Sequence, residues 1–553
     1  MYKETCKINK TMKQTSNILR SVLAILICSL TMTGFSSCTT DNGENNDEYD
    51  DYLAWLYDIS DVEYLDSGYV SYYDLLWDIL NDHSDQESYD DQLYYEWASD
   101  YLDSLANLYL TAETRAGGYE SQSGVSLLGL KYVTITYKTK GADGSEKKLS
   151  ELIAYPVGDD GKAPKEKLKN LIIGCHATIT SNERRPTNFS NLSFGTDVNM
   201  LTLIGSNETS LVVIPDYEGY GVTSKDPHPY CNRDVTAQQV IDGAKAAVVW
   251  YEKNIDKMKA GWKSVAVGYS QGGAVAAGVL NYYNAKNLTG LNLIGAVCGD
   301  GPYDPQATLN QYLKEDRLYM PVAAALMIKG MIDTNKQLKA LGCTYKDFVT
   351  DKFYDTGIFD WVQNKTFTVN EVQTKLLEYS GKHGGGAGFT MMTLYNDQFK
   401  AYIPTNIKEG DDDWDLTPSK GKNYCTADQC FKPGFIEYFK NGKVTGDIPE
   451  AKLKALEQAL KENSLTYGSW KPSGAYPHAY YFFHSTRDEV VPICNYESVR
   501  NAWGTKLIMG NPFQSKFTDL HVETGAYFYV VIASDRTHDI LAQKWAPGEK
   551  QIN

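Results

Sequence analysis

Four apolar runs set the strongest limit on what this chain can become: LKNLIIGCHAT, TSLVVIPDYEGYG, WKSVAVGYSQGG and LNLIGAVCGDGPYD. Each is a short stretch of mainly Val, Ile, Leu and Ala without polar alternation, the pattern of a strand buried on both faces. Between the second and third lies TAQQVIDGAKAAVVWYEKN, whose apolar residues recur at helical spacing. Buried runs alternating with helices predict an α/β architecture, a mostly parallel sheet covered by helices. Upstream, KYVTITYKTKGADGSEKKLSELIAYPVG alternates around a Gly-Ala-Asp-Gly turn and predicts a β-hairpin. Strands resume with HAYYFFHSTRDEVVP and TGAYFYVVIASDRTHD. In between, the rhythm is lost. RLYMPVAAALMIKGMIDTN and PEAKLKALEQALKENS predict helices, so one sheet is expected to be interrupted by a large, mainly helical insertion.

These shifts divide the chain at 37/38, 115/116, 302/303 and 475/476. Residues 1–37 carry four lysines and Arg20 ahead of SVLAILICSLTMTGF, and predict a signal peptide. FSSC resembles a bacterial lipobox, which implies a lipid on Cys38, and the acidic run after it resembles the surface-export tag of Bacteroidota lipoproteins. Together they imply an outer-membrane or cell-surface location, with membrane contact only through that lipid. An ordinary cleaved secretory signal is the alternative. Residues 38–115 are acidic and rich in tyrosine, and their loose helical spacing predicts a tether with a small helical region. Segments 116–302 and 476–553 hold the sheet; 303–475 is the insertion, expected to form a cap.

The third run continues into Gly268-Tyr269-Ser270-Gln271-Gly272, with SVAVGY as an entering strand and QGGAVAAGVLNYYN as a small-residue helix leaving it. A serine on a sharp strand-to-helix turn, flanked by glycines that let helix and strand approach, is the context of a nucleophile elbow. With this context the chain resembles the α/β-hydrolase superfamily over residues 125–302 and from 476 onward; PDYEGYG and GYSQGG look most like its secretory-lipase and bacterial-esterase branch. The resemblance implies a triad in the order Ser, Asp or Glu, His, each at the carboxyl end of a strand. Asp488 follows AYYFF, and His538 follows AYFYVVIAS, so Ser270, Asp488 and His538 are the expected nucleophile, acid and base. His521 precedes the run read as the last strand, which would put it at the wrong edge; His484 comes before the acid. Asp300 and Asp304 in GDGPYDP remain alternative acids. The family's oxyanion hole implies backbone N–H groups from Gln271 and from the loop CHATIT, where His176-Ala177 replaces the usual His-Gly. Ala177 would there need a conformation glycine takes more readily, and Thr178 is its neighbour. KHGGGAG at His383 looks like an oxyanion loop but follows the nucleophile, so it is read as a linker or lid hinge.

A net charge of -17 argues against nucleic-acid partners. The scattered histidines and the lack of recurring Cys-x-x-Cys pairs predict no metal, and no cofactor motif occurs. Cys425 and Cys430 are close enough in sequence for a local disulfide, while Cys175, Cys298 and Cys494 read as buried thiols. The expected function is a serine esterase or lipase acting on a small-molecule or glycan-linked ester. A peptidase of the prolyl-oligopeptidase kind keeps the chemistry, but no blade-like repeat accompanies it. A non-catalytic glycan-binding lipoprotein would use the 41 tyrosines and 10 tryptophans.

Overall fold

The structure is a computed structural model that describes residues 62–71, 127–158, 162–164, 166–188, 196–207, 209–385, 387–394, 422–468, 471–472, 479–504, 512–513, 521, 524–525 and 528–543. The four apolar runs become the buried strands β4 (Asn170–Cys175), β5 (Ser210–Pro215), β6 (Lys263–Tyr269) and β7 (Leu293–Gly299). The hairpin forms from β2 (Leu127–Lys140) and β3 (Glu146–Gly158), with Lys140 opposite Glu146 and Gly144 turning at φ +84°. With β1 (Glu63–Ser71), β10 (Ala479–Ser485) and β11 (Pro512–Phe513) they make a nine-stranded sheet ordered β1-β2-β3-β5-β4-β6-β7-β10-β11. The pairs from β1 to β5 are antiparallel and those from β5 to β11 parallel.

Helices cover both faces because these strands are apolar on both. On one side α2 (Arg233–Asn254), α3 (Gln271–Ala285) and α9 (Cys494–Trp503) share a core with residues such as Ile135, Ile173 and Phe482. On the other, α1 (Thr196–Asn207) and residues 528–541 pack on Ile172, Val267 and Val297. The insertion has its own apolar cluster, built from α4 (Pro305–Glu315), α5 (Pro321–Thr334), α6 (Val369–His383), α7 (Pro433–Asn441), α8 (Glu450–Glu462) and shorter turns. A small hairpin of β8 (Met392–Leu394) and β9 (Lys422–Tyr424) sits beside them.

Two elements differ from the sequence reading. Residues 63–71, expected in a helical region, form the edge strand β1, whose backbone pairs with the otherwise open rim of β2; the rest of 38–115 lies outside the described residues. The run AYFYVVIAS is not a strand. Phe528–Ala533 is a π-helical turn leading into α10 (Ser534–Leu541), and its buried residues Phe528, Tyr529, Ala533, Thr537, Ile540 and Leu541 follow a helical spacing. Among the described residues the last strand is the short β11. Residues 1–37, expected as a signal peptide, and Cys38 lie outside the described residues.

Candidate active site

Ser270 sits where β6 hands over to α3, with φ 56° and ψ -126°, a conformation that L-residues avoid. Its backbone N–H donates to Gly299 O at 2.9 Å, which ties the turn to β7. Glycine is required on both sides. A Cβ on Gly272 would stand 2.0 Å from Cys175 O, and one on Gly268 would stand 2.4 Å from Gly272 O. The close approach of helix and strand therefore exists only because these two side chains are absent.

Asp488 lies in the loop after β10. Its Oδ1 accepts from the N–H groups of Val490 at 2.8 Å and Val491 at 2.6 Å, and its Oδ2 lies 2.5 Å from His521 Nδ1. A carboxylate only accepts, so Nδ1 carries the imidazole hydrogen and Nε2 is left as an acceptor. That Nε2 is 2.9 Å from Ser270 Oγ. The serine O–H is thereby directed at a ring nitrogen placed to accept it. His521 is itself held through its backbone: its N–H donates to Glu489 Oε2 at 3.0 Å, and its C=O lies 2.7 Å from the phenol oxygen of Tyr269. Ser270, Asp488 and His521 are all buried.

Of the three residues expected from sequence, the structure brings Ser270 and Asp488 to one place and leaves His538 out. His538 is exposed in the last turn of α10, and His521 occupies the position assigned to it. The sequence places the base after a strand AYFYVVIAS, but that run is helical, and the last strand among the described residues is β11. His521 follows β11, which pairs in parallel with β10, and so emerges at the same sheet edge as Asp488. Reading Phe528–Leu541 at a period of four instead of two would have exposed this from the sequence.

Gln271 is the first residue of α3, so its N–H belongs to the group with no partner inside the helix. Its side-chain amide donates to His228 Nε2 at 2.8 Å, and His228 Nδ1–H donates to Glu218 O at 2.8 Å. Burial pushes the His228 pKa down to about 3, which keeps this ring neutral. Ala177 follows β4 and lines the same cavity as Ser270. It is not among the residues with positive φ, so the glycine-like conformation expected of it is not adopted. Thr178 is also in the lining, with Oγ1 3.0 Å from the Tyr230 hydroxyl.

The remaining candidates have other roles. Asp304 caps α4, accepting from Ala307 N–H at 3.1 Å. His484 Nε2 donates to Val491 O at 2.8 Å and so shapes the acid loop. His383 ends α6, exposed. Cys425 and Cys430 are buried free thiols with their sulfurs 3.3 Å apart, a hydrogen-bond contact and not a disulfide. Among the described residues one group of metal-ligating type occurs, Asp300, Asp488 and His521, with ligand atoms within 4.8 Å of one another. Both Asp488 oxygens and both His521 ring nitrogens are already engaged as above. No helix among the described residues is long and apolar enough to cross a membrane.

Ser270 and His521 open into a cavity of about 310 Å³ between sheet edge and insertion. Met320, Ala323, Ala324, Met327, Val490 and Val491 make much of its wall; Thr308 and Asn370 add polar groups, and no Lys, Arg, Asp or Glu is among the described residues that line it.

No protein-family model matches the chain, and no curated protein matches it by sequence. Among solved structures it is similar to the rice cell wall degrading esterase LipA from Xanthomonas oryzae, with TM-score 0.56 and 16% identity over 87% of this chain and 98% of that one. A Legionella pneumophila protein aligns with TM-score 0.54 and 16% identity over 80% of this chain and 96% of that one. At this identity the likeness concerns the fold, and the fold is the α/β-hydrolase fold with a helical insertion.

Proposed function

We propose that the protein is a serine hydrolase that cleaves carboxylic esters with an apolar acyl group through a covalent acyl-enzyme. The observation that carries this is the continuous hydrogen-bonded chain from Asp488 through His521 to Ser270, facing an apolar cavity. Ser270 Oγ attacks the acyl carbon while His521 Nε2 takes its proton, and Asp488 holds the ring and stabilises the imidazolium that forms. The negative oxygen of the tetrahedral intermediate is met by the N–H groups of Gln271 and Ala177. His521 then protonates the departing alcohol. In the second half it takes a proton from water, whose attack releases the acid and restores Ser270.

The cap wall favours an uncharged acyl chain of several carbons, since Met320, Ala323, Ala324, Met327, Val490 and Val491 offer apolar surface and no Lys or Arg is among its described lining residues. That LipA is described as a cell-wall-degrading esterase supports an ester over a peptide bond. A lipid on Cys38 would tether the enzyme at a cell surface. The test is hydrolysis of short- and long-chain p-nitrophenyl esters by wild type and Ser270→Ala, with fluorophosphonate labelling. The expected result is a loss of at least ~10³-fold in the variant. Folded wild type that neither turns over an ester nor takes the label overturns the reading.

A further inference from the structure

Asp300 is a buried carboxyl that the reaction above does not use. It follows β7 with φ 35°, is fully buried, and its ligand atom lies within 4.8 Å of those of Asp488 and His521. Oδ1 accepts from Ser485 N–H at 2.7 Å. Oδ2 lies 2.6 Å from the phenol oxygen of Tyr269, the residue before the nucleophile.

That phenol has two neighbours and one hydrogen. Its oxygen is 2.6 Å from Asp300 Oδ2 and 2.7 Å from the backbone oxygen of His521. A carbonyl can only accept, so both contacts are hydrogen bonds only if Asp300 carries a proton and donates it to the phenol. The alternative, an ionised Asp300, sets two carboxylates side by side in a dry site. Among the described residues no cation is set to compensate it: His484 Nδ1 is 3.8 Å away, but His484 donates through Nε2, its Nδ1 has no hydrogen-bond partner, and burial pushes its pKa down. His521 is engaged with Asp488. The groups facing Asp300 are thus Tyr269 from β6, His484 from β10, Asp488 from the following loop, and His521.

We propose that Asp300 is held as a neutral, protonated acid and serves, through Tyr269, as a positioning residue for His521. The proton on Asp300 leaves Asp488 as the ionised member of that pair. It also commits the phenol hydrogen to the His521 carbonyl, which fixes the ring that faces Ser270. Burial raises both carboxyls, Asp300 to about 7 and Asp488 well upward with Glu489 adding to it; the charge falls to Asp488 because three donors, the Val490 and Val491 N–H groups and His521 Nδ1–H, gather on it, whereas one backbone N–H, that of Ser485, serves Asp300. As Asp300 ionises, the phenol turns to it and the His521 carbonyl loses its donor. The kinetic side of this inference rests on the hydrolase reading.

The test compares wild type, Asp300→Asn and Asp300→Ala. Infrared difference spectra of the resting protein, wild type minus Asp300→Asn, are expected to show a carboxylic-acid C=O band at pH ~6 that shifts in D₂O and fades above pH ~8. The kcat/KM of wild type is expected to fall on the alkaline side of that transition, and Asp300→Asn, which can still donate to the phenol, to lack the fall. Asp300→Ala should lose roughly tenfold or more, with Asn restoring most of it. Absence of the acid band overturns the proposal, as do superimposable pH profiles of wild type and Asp300→Asn, or equal damage by Asn and Ala. The band is read without substrate, so it decides the state of Asp300 even if no ester is hydrolysed.

Discussion

Replacing His521 by alanine separates the geometry of this site from the chain-order rule that points to His538. The imidazole is the contact 2.9 Å from Ser270 Oγ and 2.5 Å from Asp488 Oδ2. Without it the hydroxyl has no base, and Asp488 keeps two backbone donors but loses its third. Losing the base of such a triad typically costs ~10⁴-fold or more in kcat, and at about 1.36 kcal/mol per tenfold that is roughly 5.5 kcal/mol of barrier. His538 is exposed at the C-terminal turn of α10, where a charged ring gains a few tenths of a kcal/mol from the helix dipole, so His538→Ala should change kcat/KM less than about twofold. The assay is p-nitrophenyl ester hydrolysis with circular dichroism and thermal melts on both variants. If His538→Ala is as damaged as His521→Ala, or if folded His521→Ala keeps more than about a tenth of wild-type kcat, the assignment of the base is refuted.

Three further outcomes follow from named contacts. Gly272→Ala places a methyl 2.0 Å from Cys175 O and 2.8 Å from His176 O, both backbone; a lower melting temperature, at the cost of about 1–3 kcal/mol, and a loss of ester hydrolysis are expected. Ala324→Trp fills the cavity wall and should raise the ratio of short- to long-chain kcat/KM, whereas an unchanged ratio would place the acyl chain elsewhere. For Asp300, a folded pKa raised to about 7 means the native state binds the extra proton between the unfolded and folded values. Its stabilisation is present below pH ~4 and lost as pH rises to ~7, a change on the order of 4 kcal/mol. Denaturant melts should therefore show Asp300→Asn gaining on wild type across that window and levelling above it; a constant difference would contradict the raised value.

Much of the sheet was legible because burial on both faces leaves a local mark: β4 to β7 are runs of β-branched and small residues, and Lys140 to Glu146 turns on glycine. The elbow was legible for a related reason. Gly268 and Gly272 are demanded by contacts of 2.4 Å and 2.0 Å that any side chain would violate, so steric need is written as residue type. Failures came where periodicity was ambiguous. FYVVIA has strand-like composition, yet its burial repeats every four residues against the sheet, and β11 is two residues long, too short to leave a pattern.

Asp488 is expected only from the triad order that the family resemblance implies; by itself the sequence determined the alternation of buried strands with helices and the glycine-flanked turn that carries Ser270. Those depend on short-range steric and hydrophobic rules that act within one element. Only the tertiary structure decided that His521 is the third and that Asp300 and Tyr269 stand behind it. The Ser270–His521 and Tyr269–Asp300 contacts span 251 and 31 residues, and a hydrogen bond between side chains so far apart is set by how loops converge at a sheet edge. Loop convergence depends on which strand is last, and here that strand is held by pairing with β10 and by little in its own residues.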